Sequence, residues 1–334
     1  MARTMAVVGG GVIGLSIARR AALDGWTVRL HTTAVHGASW VAGGMLAPHS
    51  EGWPGEDKLL QIGLESLRLW HSGFLDGLPP EVVTARESLV VAVDRADVAD
   101  LRTVADWLAA QGHPVEPTTS ARDVEPLLAQ GIRHGFRATT ELAVDNRAVV
   151  DALAAHCERL AVRWAPAVSD LAELADVDTV VVANGIDAPT LLPEVAVRPV
   201  KGEVLRLRWR KGCMPVPQRV IRARVHGRPV YLVPRADGVV VGATQYEHGR
   251  DTAPVVTGVR DLLDDACAVV PALGEYELAE TAAGLRPMSP DGLPIVERVD
   301  ERTLVAAGHG RNGFLLAPWT AARIAAELEM RVGA

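Results

Sequence analysis

The sequence predicts an α/β (α+β) fold: a parallel α/β domain assembled from the beginning, middle and end of the chain, with an antiparallel-sheet domain inserted into it twice. Three observations carry this. The first thirty residues run strand, glycine turn, helix, strand, which is a βαβ unit. The same alternation of helix, strand and glycine turn returns in the middle and at the tail. Between these blocks lie short runs with the texture of antiparallel strands, one pair joined by a tight "ADG" turn.

Taken in order, "MAVVG" is the first strand, "LSIARRAALDG" the first helix and "WTVRL" the second strand. "SLVVAVD" is a strand of the first inserted block. "NRAVVDALAAHCERL" has the apolar spacing of an amphipathic helix, and "DTVVVANG" reads as a buried strand ending in a glycine turn. "GEVLRLRWR" and the hairpin "PVYLVPRADGVVVGAT" form the second inserted block. "TLVAAG", "HGRNG" and "FLLAPWTAARIAAELEM" then run strand, loop and long helix. The expected division is 1–79, 141–199 and 276–334 for the α/β domain, and 80–140 with 200–275 for the inserted one.

Composition narrows the function. The 334 residues suffice for one large or two moderate domains, and 49% hydrophobic with 22% charged residues argues against disorder. A net charge of −7 leaves no electrostatic footprint for nucleic acid or an anionic membrane. Cys157, Cys213 and Cys267 are odd in number and far apart, so neither a disulfide framework nor a metal site is expected, and the compartment is expected to be reducing and cytoplasmic. Arg3 and the run "MAVVGGGVIGLSIA" imitate a signal peptide, but four glycines interrupt the run and it continues as helix and strand. No segment reaches the roughly twenty apolar residues of a membrane-spanning helix.

"VVGGGVIG" spaces Gly9, Gly11 and Gly14 as GxGxxG between a strand and a helix. The first glycine permits the tight turn, the second lets backbone approach a pyrophosphate, and the third lets helix pack on strand. A dinucleotide site is therefore expected. The acidic residue that should end the second strand is missing; His31, Thr32 and Thr33 stand there. In "HGASWVAGGMLAPHSE", Ala38, Ser39, Ala42, Gly43 and Gly44 leave the backbone bare for a flat ring or phosphate, with Met45 and Leu46 offering apolar packing. Alone, this stretch is equally a glycine-rich loop entering a helix. In the tail, His309, Gly310, Arg311, Asn312 and Gly313 precede a long helix whose N–H groups and dipole favour negative charge. Arg286 sits in "TAAGLRPMSPDGLPIV" with no carboxylate before Asp291; a lone arginine of this kind is more often solvated or ion-paired than ligand-binding.

In order along the whole chain, "VVGGGVIG", "GASWVAGGMLAP", "VYLVPRADGVVVGAT", "GLRPMSPDGLPIV" and "GHGRNGFLLAP" resemble the glycine oxidase (thiamine-biosynthesis) branch of the FAD-dependent D-amino-acid oxidase superfamily. The resemblance implies a Rossmann-like FAD-binding domain with an inserted antiparallel-sheet substrate domain, and noncovalent FAD, since no cysteine follows Cys267. It implies that Val12 and Ile13 lie at the phosphates with Ala38 and Ser39, and that His31 and Thr32 lie at the adenosine ribose. Gly43, Gly44 and Met45 would lie against the flavin, and the Val168 backbone would bond adenine. His309, Gly310, Arg311, Asn312, Gly313, Phe314 and Leu315 would wrap the pyrimidine edge of the flavin. Arg286 and Arg311 match substrate-binding arginines, and Tyr231 matches an active-site tyrosine that would otherwise read as a core strand tyrosine.

This chain departs from the pattern at His31, where the family usually has an acid, and at Pro229, where some members carry a histidine; Gln245 falls at a variable pocket position. The implied reaction is oxidative deamination of glycine or a small amine or D-amino acid: hydride passes from Cα to flavin N5, O2 is reduced to H2O2, and the glycine imine supplies thiamine thiazole synthesis. The implied partners are that small substrate and O2, with a homo-oligomeric assembly, and no nucleic acid or membrane. Sarcosine oxidase, or a D-amino acid oxidase or dehydrogenase, is the near alternative, and a non-oxidase dinucleotide-binding protein the remote one.

Overall fold

The strand Thr4–Val8 is apolar after its first residue, and its last four residues are buried. Successive side chains point to opposite faces of a strand. Met5 and Val7 accordingly enter one core with helices Val12–Leu23, Asn146–Arg159 and Gly313–Glu329, whereas Ala6 and Val8 enter another with Leu174, Val180 and Leu192. Burial on both faces is what a parallel strand requires. The strand is an inner member of a six-stranded sheet ordered Ile295–Arg298, Thr303–Ala307, Thr179–Val182, Thr4–Val8, Thr27–Thr32, Arg163–Pro166. All pairings are parallel except the outermost one, Ile295–Arg298 with Thr303–Ala307. The computed structural model describes residues 3–33 and 37–329. The remaining residues of the expected α/β domain, including Met330 at the end of the predicted tail helix, lie outside them.

The second sheet has eight strands, ordered Glu277–Met288, Arg198–Arg208, Gly238–Gly242, Arg228–Arg235, Val220–Val225, Ser88–Ala92, Gly135–Ala138, Val115–Thr118. Every pairing is antiparallel except Val220–Val225 with Ser88–Ala92. Helix Val256–Val269 packs on one face through Leu262, Ala266 and Val269. On the other, Val204, Val220, Val233 and Val240 meet Val41 and Met45 from the glycine-rich segment of the first domain. The strands Val220–Val225 and Arg228–Arg235 are joined by His226 and Gly227 at φ 52° and 79°, the positive pair that a two-residue hairpin turn needs.

The expected division differs from the observed one at two places. Glu277–Met288, expected in the α/β domain, is the edge strand of the eight-stranded sheet and pairs along its length with Arg198–Arg208. Its run of small residues carries no alternation to announce this, and Gly284 lets it lie against helix Ala38–Val41: a Cβ there would sit 3.2 Å from Val41 Cβ. Val83–Ala85, expected in the inserted domain, joins Leu142–Val144 and Met45–Leu46 in a three-stranded sheet. After Gly44 the chain enters this small sheet at Met45–Leu46, not a helix, the alternative reading of that stretch. Among the described residues, no helix is long and apolar enough to cross a membrane.

Helix Gly313–Glu329 contains Pro318, which has no N–H for the Phe314 carbonyl one turn back. Trp70 repairs the gap: its indole N–H lies 3.2 Å from the Phe314 carbonyl and 3.0 Å from that of Leu315. Ser66 Oγ donates to the Leu315 carbonyl at 2.5 Å and accepts from Trp319 N–H at 3.3 Å. The start of the last helix is thus held by helix Asp57–Leu69 and the residue after it. Trp70→Phe removes the donor while keeping most of the apolar bulk, and should cost roughly 1–3 kcal/mol for the buried carbonyl left unpaired. Urea denaturation of the apoprotein measures this; an unchanged midpoint would reject it.

Candidate active site

The glycine turn forms the first wall. Gly9 has φ 125°, and a Cβ on it would lie 2.3 Å from the Ala183 carbonyl oxygen. A Cβ on Gly14 would lie 1.8 Å from the Gly9 carbonyl oxygen, so both positions require glycine. Helix Val12–Leu23 begins at Gly11 without a side-chain cap. Ser39 Oγ instead accepts from Val12 N–H at 3.1 Å and ties the second glycine-rich segment to the turn. Ile13 is partly exposed beside it.

At the end of the second strand, the His31 carbonyl accepts from Gly9 N–H at 2.8 Å. The His31 ring places Nδ1 2.8 Å from the Pro166 carbonyl. A carbonyl only accepts, so Nδ1 carries a proton. Nε2 is buried and has no hydrogen-bond partner among the described residues. It is an orphaned polar atom at the strand end where the acidic residue of the dinucleotide pattern is missing. Thr32 packs over the turn, its Oγ1 2.3 Å from where a Gly10 Cβ would be. Val168 lies two residues beyond Pro166, partly buried.

The second segment runs from helix Ala38–Val41 through Ala42, Gly43 and Gly44 into Met45–Leu46. The amides of Gly43 and Gly44 donate to nothing among the described residues. A Cβ on Gly43 would lie 2.9 Å from Tyr231 Cε2, and one on Gly242 would lie 2.3 Å from the Tyr231 hydroxyl. The tyrosine ring therefore packs directly on the glycine segment, which joins the two sheets. Burial pushes the Tyr231 phenol above its ordinary value against the pull of Arg286, so it stays protonated.

Arg286 approaches the same place from Glu277–Met288. Its Nη1 donates to the Thr244 carbonyl at 3.1 Å, and its guanidinium fills the space where a Gly202 Cβ would be. Among the described residues it forms no ion pair. Glu51, however, is near enough to feel its charge. That carboxylate pairs with Arg222 and lies 3.5 Å from Arg311 Nε. Burial alone would raise its pKa; Arg222, Arg311 and Arg286 together outweigh burial and hold it below its ordinary value. Arg311 also reaches Glu56 at 3.3 Å, so it is paired, not free. Arg222 donates to Met45 Sδ at 3.6 Å, linking this cluster to the glycine segment.

The tail loop contributes mostly backbone. Gly308 and Gly310 have φ of 70° and 55°, and a Cβ on Gly310 would meet Met288 Sδ at 2.6 Å. The His309 ring lies 2.8 Å from Thr320 Oγ1, and burial lowers its pKa to about 4, so it is neutral and faces the interior. Asn312, Phe314 and Leu315 are buried as well, and Gly313 opens the last helix. Positive helix-end character is what this loop offers.

The structure thus gathers Gly43, Met45, Tyr231 and Arg286 with Arg311, around two residues that sequence reasoning passed over, Glu51 and Arg222. Glu51 closes the quoted "HGASWVAGGMLAPHSE" but has no local pattern to mark it. Arg222 was accessible through the hairpin register, because the turn at His226 and Gly227 places it opposite Tyr231.

A glycine-cradled nucleotide turn near a cluster of arginines is the arrangement of a dinucleotide-dependent enzyme. The chain belongs to the FAD dependent oxidoreductase (DAO) family, whose pattern matches residues 4–328. It is 35% identical to the thiamine biosynthesis oxidoreductase ThiO of Rhizobium etli over 96% of this chain and 95% of that one. It is 28% identical to a glycine oxidase of Pseudomonas putida, covering 95% and 92% of the two chains. The crystal structure of glycine oxidase from Geobacillus kaustophilus superimposes with a TM-score of 0.87 at 27% identity, covering 98% of this chain and 95% of that one. The cofactor is FAD, and the residues present fit it: the cradle at Gly9 and Gly14, the orphaned His31 Nε2 and the open amides of Gly43 and Gly44.

Two predictions follow from these contacts. His31→Ala should weaken FAD binding by roughly two- to tenfold, the worth of one neutral hydrogen bond, in a fluorescence titration of apoprotein; equal affinity would remove the ribose role. Glu51 has a folded pKa below its unfolded one, so the stability it adds is present above the unfolded value and lost as pH falls through the folded value. The stability difference between wild type and Glu51→Gln should therefore be widest near neutrality and shrink as pH falls through and below the ordinary carboxylate range, by denaturation at a series of pH values.

Proposed function

We propose that this protein oxidises glycine, or a similarly small amine bearing a carboxylate, to the corresponding imine, with O2 as the acceptor and H2O2 as the second product. The observation that carries this reading is the Arg286 guanidinium, anchored on the Thr244 carbonyl and without an ion-pair partner among the described residues, beside Tyr231 and the glycine segment. Two N–H groups of an arginine match a carboxylate in a way that a lysine cannot. The protonated Tyr231 hydroxyl can donate to the same carboxylate. Arg311 and Arg222 supply further positive charge, and Glu51 moderates it.

In this reading Gly9, Gly11, Val12, Ile13, Gly14, Ala38 and Ser39 hold the phosphates, and His31, Thr32 and Val168 hold the adenosine. Gly43, Gly44 and Met45 flank the ring, and residues 309–315 wrap its pyrimidine edge. Bound FAD supplies the two-electron acceptor. The protein's part is to fix the substrate carboxylate on Arg286 so that Cα faces the ring, which is catalysis by orientation. FAD is held without a covalent bond, the enzyme works in the cytoplasm as a homo-oligomer, and its imine product feeds thiazole formation in thiamine synthesis. The similarity to ThiO and to glycine oxidases supports this substrate choice.

Arg286→Ala should retain the flavin spectrum and lose roughly 100-fold or more in kcat/KM for glycine, with Arg286→Lys recovering only part. A peroxide-coupled assay over glycine, sarcosine and D-alanine measures both the variant and the preference. Near wild-type efficiency in Arg286→Ala would refute the carboxylate assignment. Acid precipitation should leave the yellow colour in the supernatant.

A further inference from the structure

The glycine segment is held from behind by side chains that take no part in the pocket. Arg235 ends the strand Arg228–Arg235 on the same face as Tyr231, four residues earlier. Its side chain is almost fully buried. Arg235 Nη2 donates to the Gly43 carbonyl at 2.9 Å and to Asn146 Oδ1 at 3.2 Å, while Nη1 donates to the Pro234 carbonyl at 3.0 Å. Its Nε lies 3.4 Å from Asp145 Oδ2. Asn146, completely buried, donates from Nδ2 to the carbonyls of Ser39 at 2.9 Å and Trp40 at 2.8 Å. Arg206 Nη2 gives Asn146 Oδ1 a second donor at 3.0 Å, so the amide has no spare capacity with which to adopt another orientation.

Helix Ala38–Val41 is a single turn whose terminal carbonyls need donors from outside it, and Arg147 Nε reaches that of Trp40 at 3.2 Å. Asn146 satisfies two of them, Ser39 and Trp40. The Gly43 carbonyl belongs to the peptide unit whose other end is the Gly44 N–H. In a planar trans peptide these two groups point in opposite directions. With the carbonyl tied back to Arg235, the Gly44 N–H points away from the clamp, and it has no partner among the described residues. Gly44 itself, at φ 74°, cannot be replaced: a Cβ would sit 2.1 Å from the Val144 carbonyl oxygen.

We propose that Arg235 is a positioning residue for the flavin: it locks the peptide joining Gly43 and Gly44 so that the Gly44 N–H is presented to the ring, with Asn146 fixing the turn before it. This rests on the assignment of residues 43–45 to the flavin face. An N–H aimed at the ring stabilises the charge that the ring gains on reduction. Losing that aim should make the ring harder to reduce without disturbing the carboxylate site on Arg286.

The test uses the FAD-loaded enzyme and its apoprotein with Arg235→Met, which keeps length and apolar packing, and Arg235→Lys. Arg235→Met should bind FAD at least tenfold more weakly, show shifted visible absorption bands, and have a more negative flavin midpoint potential. Turnover should fall with KM for glycine changed less than twofold. Lysine should not rescue the potential, since one ammonium cannot span the Gly43 carbonyl, Asn146 Oδ1 and the Pro234 carbonyl together. Wild-type FAD affinity, spectrum and potential in Arg235→Met would overturn the proposal. Should that variant fail to fold, Asn146→Asp replaces the donor to Ser39 and Trp40 with an acceptor; a well-folded Asn146→Asp with unchanged potential also overturns it. A wild-type chain without flavin bands would remove the flavin-face assignment and this proposal together, whereas flavin-loaded wild type with an unresponsive Arg235→Met removes this proposal alone.

Discussion

The packing of the Tyr231 ring on Gly43 is the interaction on which the rest depends. It is where the eight-stranded sheet touches the parallel domain at the reaction site, and it exists because position 43 has no side chain. The valines Val204, Val233 and Val240 close around the same segment. Remove that contact and the nucleotide turn and the arginine pocket become features of two separate sheets. With it, the glycine segment that follows the nucleotide turn is also one wall of the space beside Tyr231 and Arg286.

The second organising element is electrostatic. Three arginines converge where one carboxylate, Glu51, is nearly buried. A buried carboxylate is costly unless it is paired, and here pairing outweighs desolvation. The cluster still carries more positive than negative charge, without the mutual repulsion that three bare guanidinium groups would suffer. Arg286 keeps its charge uncommitted because its hydrogen bonds go to a neutral carbonyl, Thr244. Positive charge is thus divided between arginines paired with carboxylates and one that is not.

Features written into consecutive residues were legible in the sequence. The glycine turn, the first helix, the tail strand and helix, and the hairpin each follow from spacing and turn chemistry, and the structure has them. Arg286 was legible as an arginine without a local partner. Less legible was whatever depends on pairing between distant segments. The edge strand Glu277–Met288 takes its sheet from Arg198–Arg208, about eighty residues earlier, and no pattern within it says so. Glu51 meets Arg222, and Asn146 meets Arg235, from separate parts of the chain. The role of His31 was half legible: the missing acid showed in the sequence, but the proton on Nδ1 follows only from the carbonyl of Pro166, which another strand brings.

The order of strands in the parallel sheet is not the order in which they are made. Thr4–Val8 precedes its neighbour Thr179–Val182 by a long stretch of chain, and the next strand outward, Thr303–Ala307, comes later still. Helix Gly313–Glu329, which packs on Val12–Leu23, follows even that. A ribosome-bound chain therefore displays the glycine turn long before the surfaces that enclose it exist, with the apolar strand Thr4–Val8 uncovered meanwhile. The inserted sheet can form earlier, while the nucleotide domain waits for the tail. The walls of the glycine turn are accordingly complete only once helix Gly313–Glu329 has been made.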